Sequence, residues 1–300
     1  MESGIRIGII GGTGLETALL GGLDPEKVAS ESCPTPFGSP SCPVITGTCG
    51  DVSIALIARH GIDHRLNPAA VPYRANIFAL KSLGCTHVLA FGATGSLRQE
   101  IAPGDLVICD QLIDRTLTRR RTFYEKAAVH VEFAEPFCPV MRRWLDQAAA
   151  SMESVTVHSA GTYVCIEGPS FSTRAESHLY RQWGADLVGM TALPEARLAR
   201  EAELGYALVA MPVDYDCWRE RAGDVDPKSL LAHVIDNVKR ATEASINLLT
   251  AALGDVAILR ERPSPAGDAL SLAIWSDKAS IDRGEVQRLR PLWGRYFDEG

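Results

Sequence analysis

Two carboxylates in the stretch PVDYDCW, residues 212–218, are the side chains whose type and spacing most clearly suggest chemistry. Asp214 and Asp216 flank Tyr215 at the end of an apolar run. In an extended segment, side chains two residues apart point to the same side, so we expect the two carboxylates to lie close together. Each then disfavours ionisation of the other, and a carboxyl group that keeps its proton can act as a general acid. A solvated acidic loop is the alternative.

The glycine-rich stretch GIRIGIIGGTGLE, residues 4–16, could bind an anion. Gly8, Gly11 and Gly14 follow an apolar run, and Thr13 adds a hydroxyl group. Glycine allows a ligand to approach the backbone closely, and free backbone N–H groups attract negative charge. A tight turn without a ligand is the alternative.

A dinucleotide site at this glycine loop is disfavoured by the residues that follow it. Such a site needs a second strand that ends in Asp or Glu about 20 residues further on. That region, ESCPTPFGSPSCPV, contains four prolines and predicts neither a strand nor a helical crossover. The sequence also contains no Tyr-x-x-x-Lys pair that could supply a proton for reduction. These observations argue against a nicotinamide-dependent dehydrogenase.

Two further stretches follow predicted strands and carry groups that suit phosphate. Arg59 and His60 come directly after the run SIALIA, and the planar guanidinium group of arginine matches phosphate. Residues 92–97, GATGSL, predict a second turn of small residues, where the backbone at Gly92 and Ala93 offers N–H groups. Open α/β sheets bind ligands at the carboxyl ends of their strands. The alternative for Arg59 and His60 is a pair on the protein surface, and the alternative for GATGSL is a turn that binds no ligand.

Two loops, IEGPSFSTRAE (166–176) and GMTALPE (189–195), add an aromatic ring, a thioether and hydroxyl groups. Phe171 could stack on a flat ring, and Thr191 stands next to Met190 just before a predicted helix that continues from Pro194. The structural alternatives are a strand-to-helix connection, methionine packing in the core and a hydroxyl group that only caps a helix.

The elements that must position these groups are short apolar runs alternating with helical ones. The runs are apolar throughout, which is typical of a sheet covered on both faces. One helix is predicted over 68–83 with Gly84 as its stop, and another begins at Asp226–Pro227. The pattern predicts one α/β domain with a mostly parallel or mixed sheet. The predicted strands are residues 5–10, 53–58, 87–91, 162–166 and 206–213.

The composition argues against several classes of protein. The 30 Lys and Arg against 37 Asp and Glu give a formal net charge of −7, unlike a general nucleic-acid-binding protein. No apolar run approaches the ~20 residues that span a bilayer, and the N-terminus lacks a signal-peptide pattern. We therefore expect a cytoplasmic protein that contacts no membrane. The eight cysteines form no CxxC pair and predict buried, reduced thiols and no zinc site.

Taken together, these stretches resemble the purine nucleoside phosphorylase superfamily, in its trimeric branch. They run in the family's order from residue 4 to about residue 250. The matching segments are GIIGGTGLE, ARHG, HRLNPAAVPYRANIFALKSLG, GSLRQEIAPGDLVICDQLIDRT, AEPFCP, IEGPSFSTRAES, WGADLVGMTALPEARLAREAELGYA and DYDCW.

The resemblance implies a nucleoside phosphorylase type 1 fold, a single α/β domain whose mixed twisted sheet is surrounded by helices. We expect that domain over residues 1–255. Residues 256–300, which include the stretch ERPSPAGD, are expected to be a linker and an appendage of no assigned role. The resemblance further implies a homotrimer with active sites near the subunit interfaces, and neither a metal nor an organic cofactor.

The reaction that the resemblance implies is attack of orthophosphate, the co-substrate, on C1′ of a purine nucleoside. Within the branch, the motifs are most similar to those of members that cleave 5′-methylthioadenosine to adenine and 5-methylthioribose 1-phosphate. The residues implied to hold phosphate are Thr13, Arg59, His60, Gly92, Ala93 and Thr191. Those implied for the ribose and base are Met190, Phe171, Ser172, Asp214, Tyr215 and Asp216. The 5′ group is expected to meet Pro227, Leu230, Leu231 and His130, the last from a neighbouring subunit.

By the same resemblance, Asp214 is the expected general acid at purine N7, with Asp216 as the second catalytic carboxylate. The sequence does not decide which of the two holds the proton. An aspartate at 214 accepts hydrogen bonds from a 6-amino group, whereas members that prefer 6-oxopurines are expected to carry Asn there. A broader or 6-oxopurine nucleoside phosphorylase, acting on 5′-methylthioinosine, is the alternative, and a non-catalytic sensor on the same fold is another.

The sequence departs from the family pattern at three positions. Gly92 stands where a hydroxyl residue is common, and Pro227 where a branched aliphatic residue is common. Ser170 replaces an expected basic residue.

Overall fold

The computed structural model describes residues 4–11, 28–219 and 227–297, with the backbone alone for 227–231. The described strands form one mixed sheet in the order β2-β3-β4-β1-β5-β10-β9-β7, while β11 pairs with β5 and β6, and β6 with β8. The strands are β1 (Arg6–Gly11), β2 (Ala29–Glu31), β3 (Val44–Cys49), β4 (Val52–Ala58), β5 (His87–Ser96), β6 (Leu106–Ile108), β7 (Gln111–Arg115), β8 (Val157–His158), β9 (Thr162–Ile166), β10 (Leu187–Gly189) and β11 (Gly205–Asp214).

The centre of the sheet is parallel, because β5 lies between β1 and β11 and runs in the same direction as both. Its side chains alternate between two cores. Leu89 and Phe91 pack on one face with Trp144, whereas Val88 and Ala90 pack on the other with Phe78 and its neighbours. Burial on both faces explains why the strands read as unbroken apolar runs. The mixed α/β fold and all five predicted strands are confirmed.

Helices cover both faces of the sheet. Helix α1 ends just before Gly84, whose φ of 78° is the left-handed conformation expected at a helix stop. The described helices are α1 (Tyr73–Ser82), α2 (Pro139–Ala149), α3 (Arg174–Gln182), α4 (Ala192–Glu201), α5 (Pro227–Gly254), α6 (Ala257–Glu261), α7 (Arg283–Arg288) and α8 (Arg290–Trp293).

The predicted start of α1 at residue 68 is wrong, because a turn occupies the residues before Tyr73. The Asn67 side chain accepts hydrogen bonds from the N–H groups of Ala69 and Ala70, both at 3.0 Å. This side-chain turn competes with helical hydrogen bonding. Pro72 then stands immediately before the first helical residue.

The predicted turn at GATGSL is also wrong, because β5 continues through it to Ser96. Gly92, Ala93 and Thr94 pair with β11, and Gly95 and Ser96 pair with β10. Small residues favour a turn locally, but hydrogen bonds to β11 and then to β10 hold the backbone in extended form.

The C-terminal segment packs against the main body. Trp293 is fully buried and its ring lies 4.7 Å from that of Tyr124. The Glu203 carboxylate accepts hydrogen bonds from the Leu270 N–H (3.0 Å) and from Arg295 (2.9 Å). The division at residue 255 stays a prediction.

Two features of the described residues bear on membranes and metals. Taken alone, none of their helices is long and apolar enough to cross a bilayer, and only the bent pair 232–254 and 257–268 passes on length and composition. The same residues contain no group of three or more His, Cys, Asp and Glu side chains that could hold a metal ion. None of the eight cysteines, all of which lie within the described residues, forms a disulfide; four are buried and four partly buried.

Candidate active site

Arg59 lies directly after β4 and is held in a buried ion pair that the sequence did not reveal. Its Nε and Nη2 atoms each donate to the carboxylate of Glu195 on α4 at 2.9 Å. Nη1 donates to the Phe91 carbonyl of β5 at 2.7 Å. The Arg59 side chain is 1% exposed and that of Glu195 is not exposed at all. Three of the five guanidinium N–H groups are thus used, which leaves two for a ligand.

Arg59 stays protonated in this environment. Burial by itself would lower its pKa, but the Glu195 carboxylate raises that pKa above the ordinary value of arginine. The Tyr206 hydroxyl donates to the same carboxylate at 2.9 Å. Glu195 therefore orients a permanently charged guanidinium group at the end of β4.

His60, the next residue, is a neutral imidazole at neutral pH. Burial lowers its pKa to about 4, with the charge of Arg59 as a smaller cause. Nδ1 lies 2.8 Å from the Leu66 carbonyl, so we assign the hydrogen of the neutral ring to Nδ1. Nε2 can then accept a hydrogen bond from hydrogen phosphate, and it can donate one only after the ring gains a proton.

Gly92 on β5 lies close to Thr191, the residue immediately before α4. A Cβ atom built on Gly92 would lie 3.3 Å from Thr191 Oγ1. The Thr191 N–H donates to the Tyr163 hydroxyl at 3.3 Å, which anchors the residue to β9. Because Arg59 donates to the carbonyl next to Gly92, the structure brings three expected phosphate ligands together. Ala93, the next residue on β5, is exposed.

The two aspartates also lie beside β5, next to Gly95, which is three residues after Gly92. Asp214 ends β11, and the N–H of Asp216 donates to Asp214 Oδ1 at 2.9 Å. The expectation that both belong to one extended segment is wrong, because Asp216 has a φ of 49° outside the strand. The pair is close because the chain turns back. A Cβ atom on Gly95 would lie 3.1 Å from Asp214 Oδ1 and 3.0 Å from Asp216 Cβ.

Burial raises the pKa of Asp216 above its ordinary value, and the negative charge of Glu176 adds to the shift. Ser172 lies on the neighbouring loop, where its carbonyl accepts a hydrogen bond from the Cys217 thiol at 3.3 Å. The Ser172 hydroxyl oxygen is buried and has no hydrogen-bond partner among the described residues. A partly buried carboxyl group and a hydroxyl group without a partner among the described residues can both serve a polar ligand.

Tyr215, between the aspartates, contacts the indole of Trp218 edge-on, with ring centroids 6.0 Å apart. Phe171 is 84% exposed, so it stands beside the site as an open surface rather than a closed wall. Met190 packs its sulfur against Gly168, where φ is 65° and a Cβ atom would lie 2.6 Å from the sulfur. The left-handed backbone conformation at that position favours glycine.

The remaining expected site residues are Thr13, Pro227, Leu230, Leu231 and His130. Thr13 lies outside the described residues, as do the side chains of Pro227, Leu230 and Leu231. His130 packs against Trp275 with the two rings tilted and their centroids 4.5 Å apart, and its backbone N–H donates to the Ala273 carbonyl at 2.9 Å.

Three residues near the site escaped sequence reasoning. Glu195 gave one signal, a carboxylate in the stretch GMTALPEARLA, whose other residues are apolar or small except for Thr191 and Arg197. Arg119 belongs to a charge run, TRRRT, that resembles a solvated surface. Thr94 lay in the stretch predicted as a turn, and its buried hydroxyl has no hydrogen-bond partner within the described part of the chain.

Residues 6–254 match the family model described as the phosphorylase superfamily. The S-methyl-5′-thioadenosine phosphorylase of Geobacter sulfurreducens is 45% identical over 292 residues, which cover 97% of this chain and 98% of that protein. The namesake enzyme of Aedes aegypti is 47% identical over 262 residues, covering 86% and 91%.

Two solved structures have the same fold. A methylthioadenosine phosphorylase from an antarctic soil metagenomic library has a TM-score of 0.84 at 39% identity, covering 97% of this chain and 99% of that one. A variant of the adenosine/methylthioadenosine phosphorylase from Schistosoma mansoni, in complex with methylthioadenosine, has a TM-score of 0.79 at 36% identity, covering 90% and 99%.

Proposed function

The chain belongs to the phosphorylase superfamily, and from this premise we propose that it is an S-methyl-5′-thioadenosine phosphorylase. The reaction consumes 5′-methylthioadenosine and orthophosphate and yields adenine and 5-methylthioribose 1-phosphate. One observation supports this most directly. Gly92 faces Thr191 and Gly95 faces Asp214 on the same strand, three residues or roughly 10 Å apart. That span suits a ribose held between phosphate and a purine.

The phosphate half of the proposed site is built around Arg59. Its two remaining N–H groups offer a fork for phosphate oxygens, as arginine does for planar bidentate recognition. We place Thr191, the Gly92–Ala93 backbone, His60 and Thr13 around the same anion. Phosphate then stands ready to attack C1′, so that orientation supplies much of the rate enhancement.

The base half is built around Asp214 and Asp216. As the C1′–N9 bond breaks, its electron pair moves into the purine, and the ribose gains oxocarbenium character. We assign Asp214 as the general acid that protonates N7, with Asp216 as its partner. Burial raises the pKa of Asp216, which favours the protonated form of that carboxyl group. The same carboxylates can accept hydrogen bonds from a 6-amino group, which favours adenine.

We propose the remaining contacts to the base, the ribose and the 5′ group from the family resemblance of these residues. Ser172 and Tyr215 would meet the base beside Phe171, and Met190 would pack on the ribose. We propose that Pro227, Leu230 and Leu231 form an apolar pocket for the methylthio group. His130 would complete that pocket from a neighbouring subunit of a homotrimer. Light scattering of the purified protein tests this assembly, and a monomer mass would contradict the shared pocket.

Chromatography of the reaction products tests the function. Purified protein is incubated with 5′-methylthioadenosine with and without phosphate, beside adenosine and 5′-methylthioinosine. We expect free adenine only with phosphate, and fastest from the methylthio substrate. Hypoxanthine released faster from the inosine analogue would contradict the base assignment of Asp214 and Asp216. Base release without phosphate would indicate a hydrolase and remove the roles given to Arg59, His60 and Thr191.

A further inference from the structure

A second buried guanidinium group, that of Arg119, lies next to the proposed nucleoside site. Its side chain is 2% exposed, and it follows β7 in the segment TRRRT. Nη1 donates to the carbonyls of Met190 at 2.7 Å and Leu193 at 2.6 Å. Nη2 donates to the Glu167 carbonyl at 2.5 Å, with the Ile166 carbonyl at 3.4 Å. One side chain therefore bonds the main chain of two separate loops.

These two loops carry the proposed nucleoside contacts. The loop after β9, residues 167–173, leads to Phe171 and Ser172. The loop after β10 holds Met190, whose sulfur packs on Gly168 of the first loop. Neither loop pairs with the other through a strand ladder, since β9 and β10 pair only up to Cys165 and Gly189. Beyond that point, Arg119 supplies hydrogen bonds that join them.

The charge of Arg119 is balanced locally. The Glu167 carboxylate lies 3.4 Å from its Nε and also accepts a hydrogen bond from the Thr118 hydroxyl at 2.9 Å. The Tyr73 hydroxyl lies 3.2 Å from Nη1. Hydrogen bonds from a charged donor to carbonyls are stronger than neutral ones, particularly where water is excluded. A planar group with donors on several edges can reach several carbonyls at once, whereas a lysine ammonium is a single point.

We infer that Arg119 is a positioning residue that holds the Phe171–Ser172 loop and the Met190 loop at the spacing that the nucleoside requires. This inference rests on the proposed function. Arg119 touches no reacting atom in this arrangement, and it acts through the main chain of the loops. Among the proposed phosphate contacts, Arg59 and His60 follow β4, whereas Thr191 lies between Met190 and Leu193, whose carbonyls Arg119 binds. Loss of Arg119 should therefore affect the nucleoside half through both loops and the phosphate half through Thr191 alone.

The test is a separation of the two Michaelis constants in Arg119→Lys. Lysine keeps the positive charge beside Glu167 but loses most of the carbonyl contacts. We expect the KM for 5′-methylthioadenosine to rise about tenfold or more, and the KM for phosphate to change less than about threefold. A Michaelis constant does not depend on the folded fraction, so a purely structural role would lower the rate and leave both constants unchanged.

Arg295→Lys is the matched control. Arg295 also donates to a main-chain carbonyl, that of Gly267 at 2.6 Å, and pairs with a carboxylate, that of Glu203 at 2.9 Å. Its contacts are in the C-terminal segment, and both Michaelis constants should stay at the wild-type values. Circular dichroism and thermal unfolding of each variant show the loss of fold separately.

Glu167→Gln gives a second variant in case Arg119→Lys does not fold. It keeps an acceptor oxygen for Thr118 and removes the charge that faces Arg119, so a smaller rise in the nucleoside KM is expected. A nucleoside KM within twofold of the wild-type value in the folded variants, or an equal rise of both constants, would overturn the inference. Absence of phosphate-dependent adenine release from the wild-type protein would instead overturn the proposed function. The positioning role would then be judged by calorimetric binding of adenine to wild type and Arg119→Lys, and equal affinities would overturn it.

Discussion

We expect removal of the Glu195 charge to lower the free energy of unfolding, although the proposed role of the Arg59–Glu195 pair is to bind phosphate. Both side chains are almost completely buried and joined by two hydrogen bonds of 2.9 Å. Removing one partner of such a pair leaves an uncompensated buried charge, which costs about 3–5 kcal/mol. In Glu195→Gln the amide oxygen can still accept one of the bonds, so we expect the free energy of unfolding to fall by about 3 kcal/mol.

The assay is a double-mutant cycle followed by urea unfolding. Arg59→Met and Glu195→Met each leave one buried charge uncompensated, whereas the double variant removes both charges. We therefore expect the double variant to be more stable than either single variant, with a coupling of about 2–3 kcal/mol. Tyr206→Phe is the matched control, because it removes one neutral hydrogen bond to the same carboxylate and should cost about 1 kcal/mol.

The same variants are then assayed for phosphate-dependent release of adenine. The double variant should be folded and inactive, because the guanidinium group proposed to bind phosphate is absent. Simple additivity of the two single-variant losses would refute the argument that each charge exists to balance the other. A folded double variant that kept wild-type turnover would refute the role of Arg59 in holding phosphate.

Three further predictions follow from the same site and its surroundings. Asp214→Asn should lower turnover on 5′-methylthioadenosine about 10²-fold or more and improve relative turnover on 5′-methylthioinosine, measured by product chromatography; unchanged selectivity would contradict the assignment of the base contact. Thr94→Val removes a buried hydroxyl without a partner among the described residues, so the free energy of unfolding should rise by about 1 kcal/mol in urea; a loss would contradict this. Burial raises the pKa of Glu201 from 4.5 to about 7, so the stability of the wild type relative to Glu201→Gln should fall by roughly 3 kcal/mol as the pH rises from 4.5 to 8. The stabilisation is complete below the unfolded pKa and is lost as the carboxyl ionises through the folded pKa; a pH-independent difference would contradict the assignment.

Much of the fold could be predicted because its signals are local. Unbroken apolar runs indicated strands buried on both faces, and the five predicted strands are present. Gly84 indicated the end of α1 through the left-handed conformation that glycine readily adopts. Arg59 and Asp214 could be singled out because each follows or ends such a run, where ligands bind in α/β sheets.

The errors arose where distant strands overruled local preference. The stretch GATGSL has the composition of a turn, yet β10 and β11 provide partners that keep it extended. Asp216 was expected on a strand with Asp214, but the chain leaves β11 and turns back, so the two meet through a backbone hydrogen bond. Local composition cannot report hydrogen-bond partners that the rest of the chain supplies.

By itself, the sequence determined the α/β class, most of the strands and the side chains able to hold an anion and donate a proton. Only the tertiary structure decided how those side chains are held. Arg59 pairs with Glu195 from 136 positions away, and Arg119 bonds Met190 from 71 positions away. A buried charge must be balanced by a group that the fold places beside it. Because that group can come from any part of the chain, local residue spacing does not predict it. The apolar pattern of a strand, in contrast, follows directly from the alternation of its own side chains.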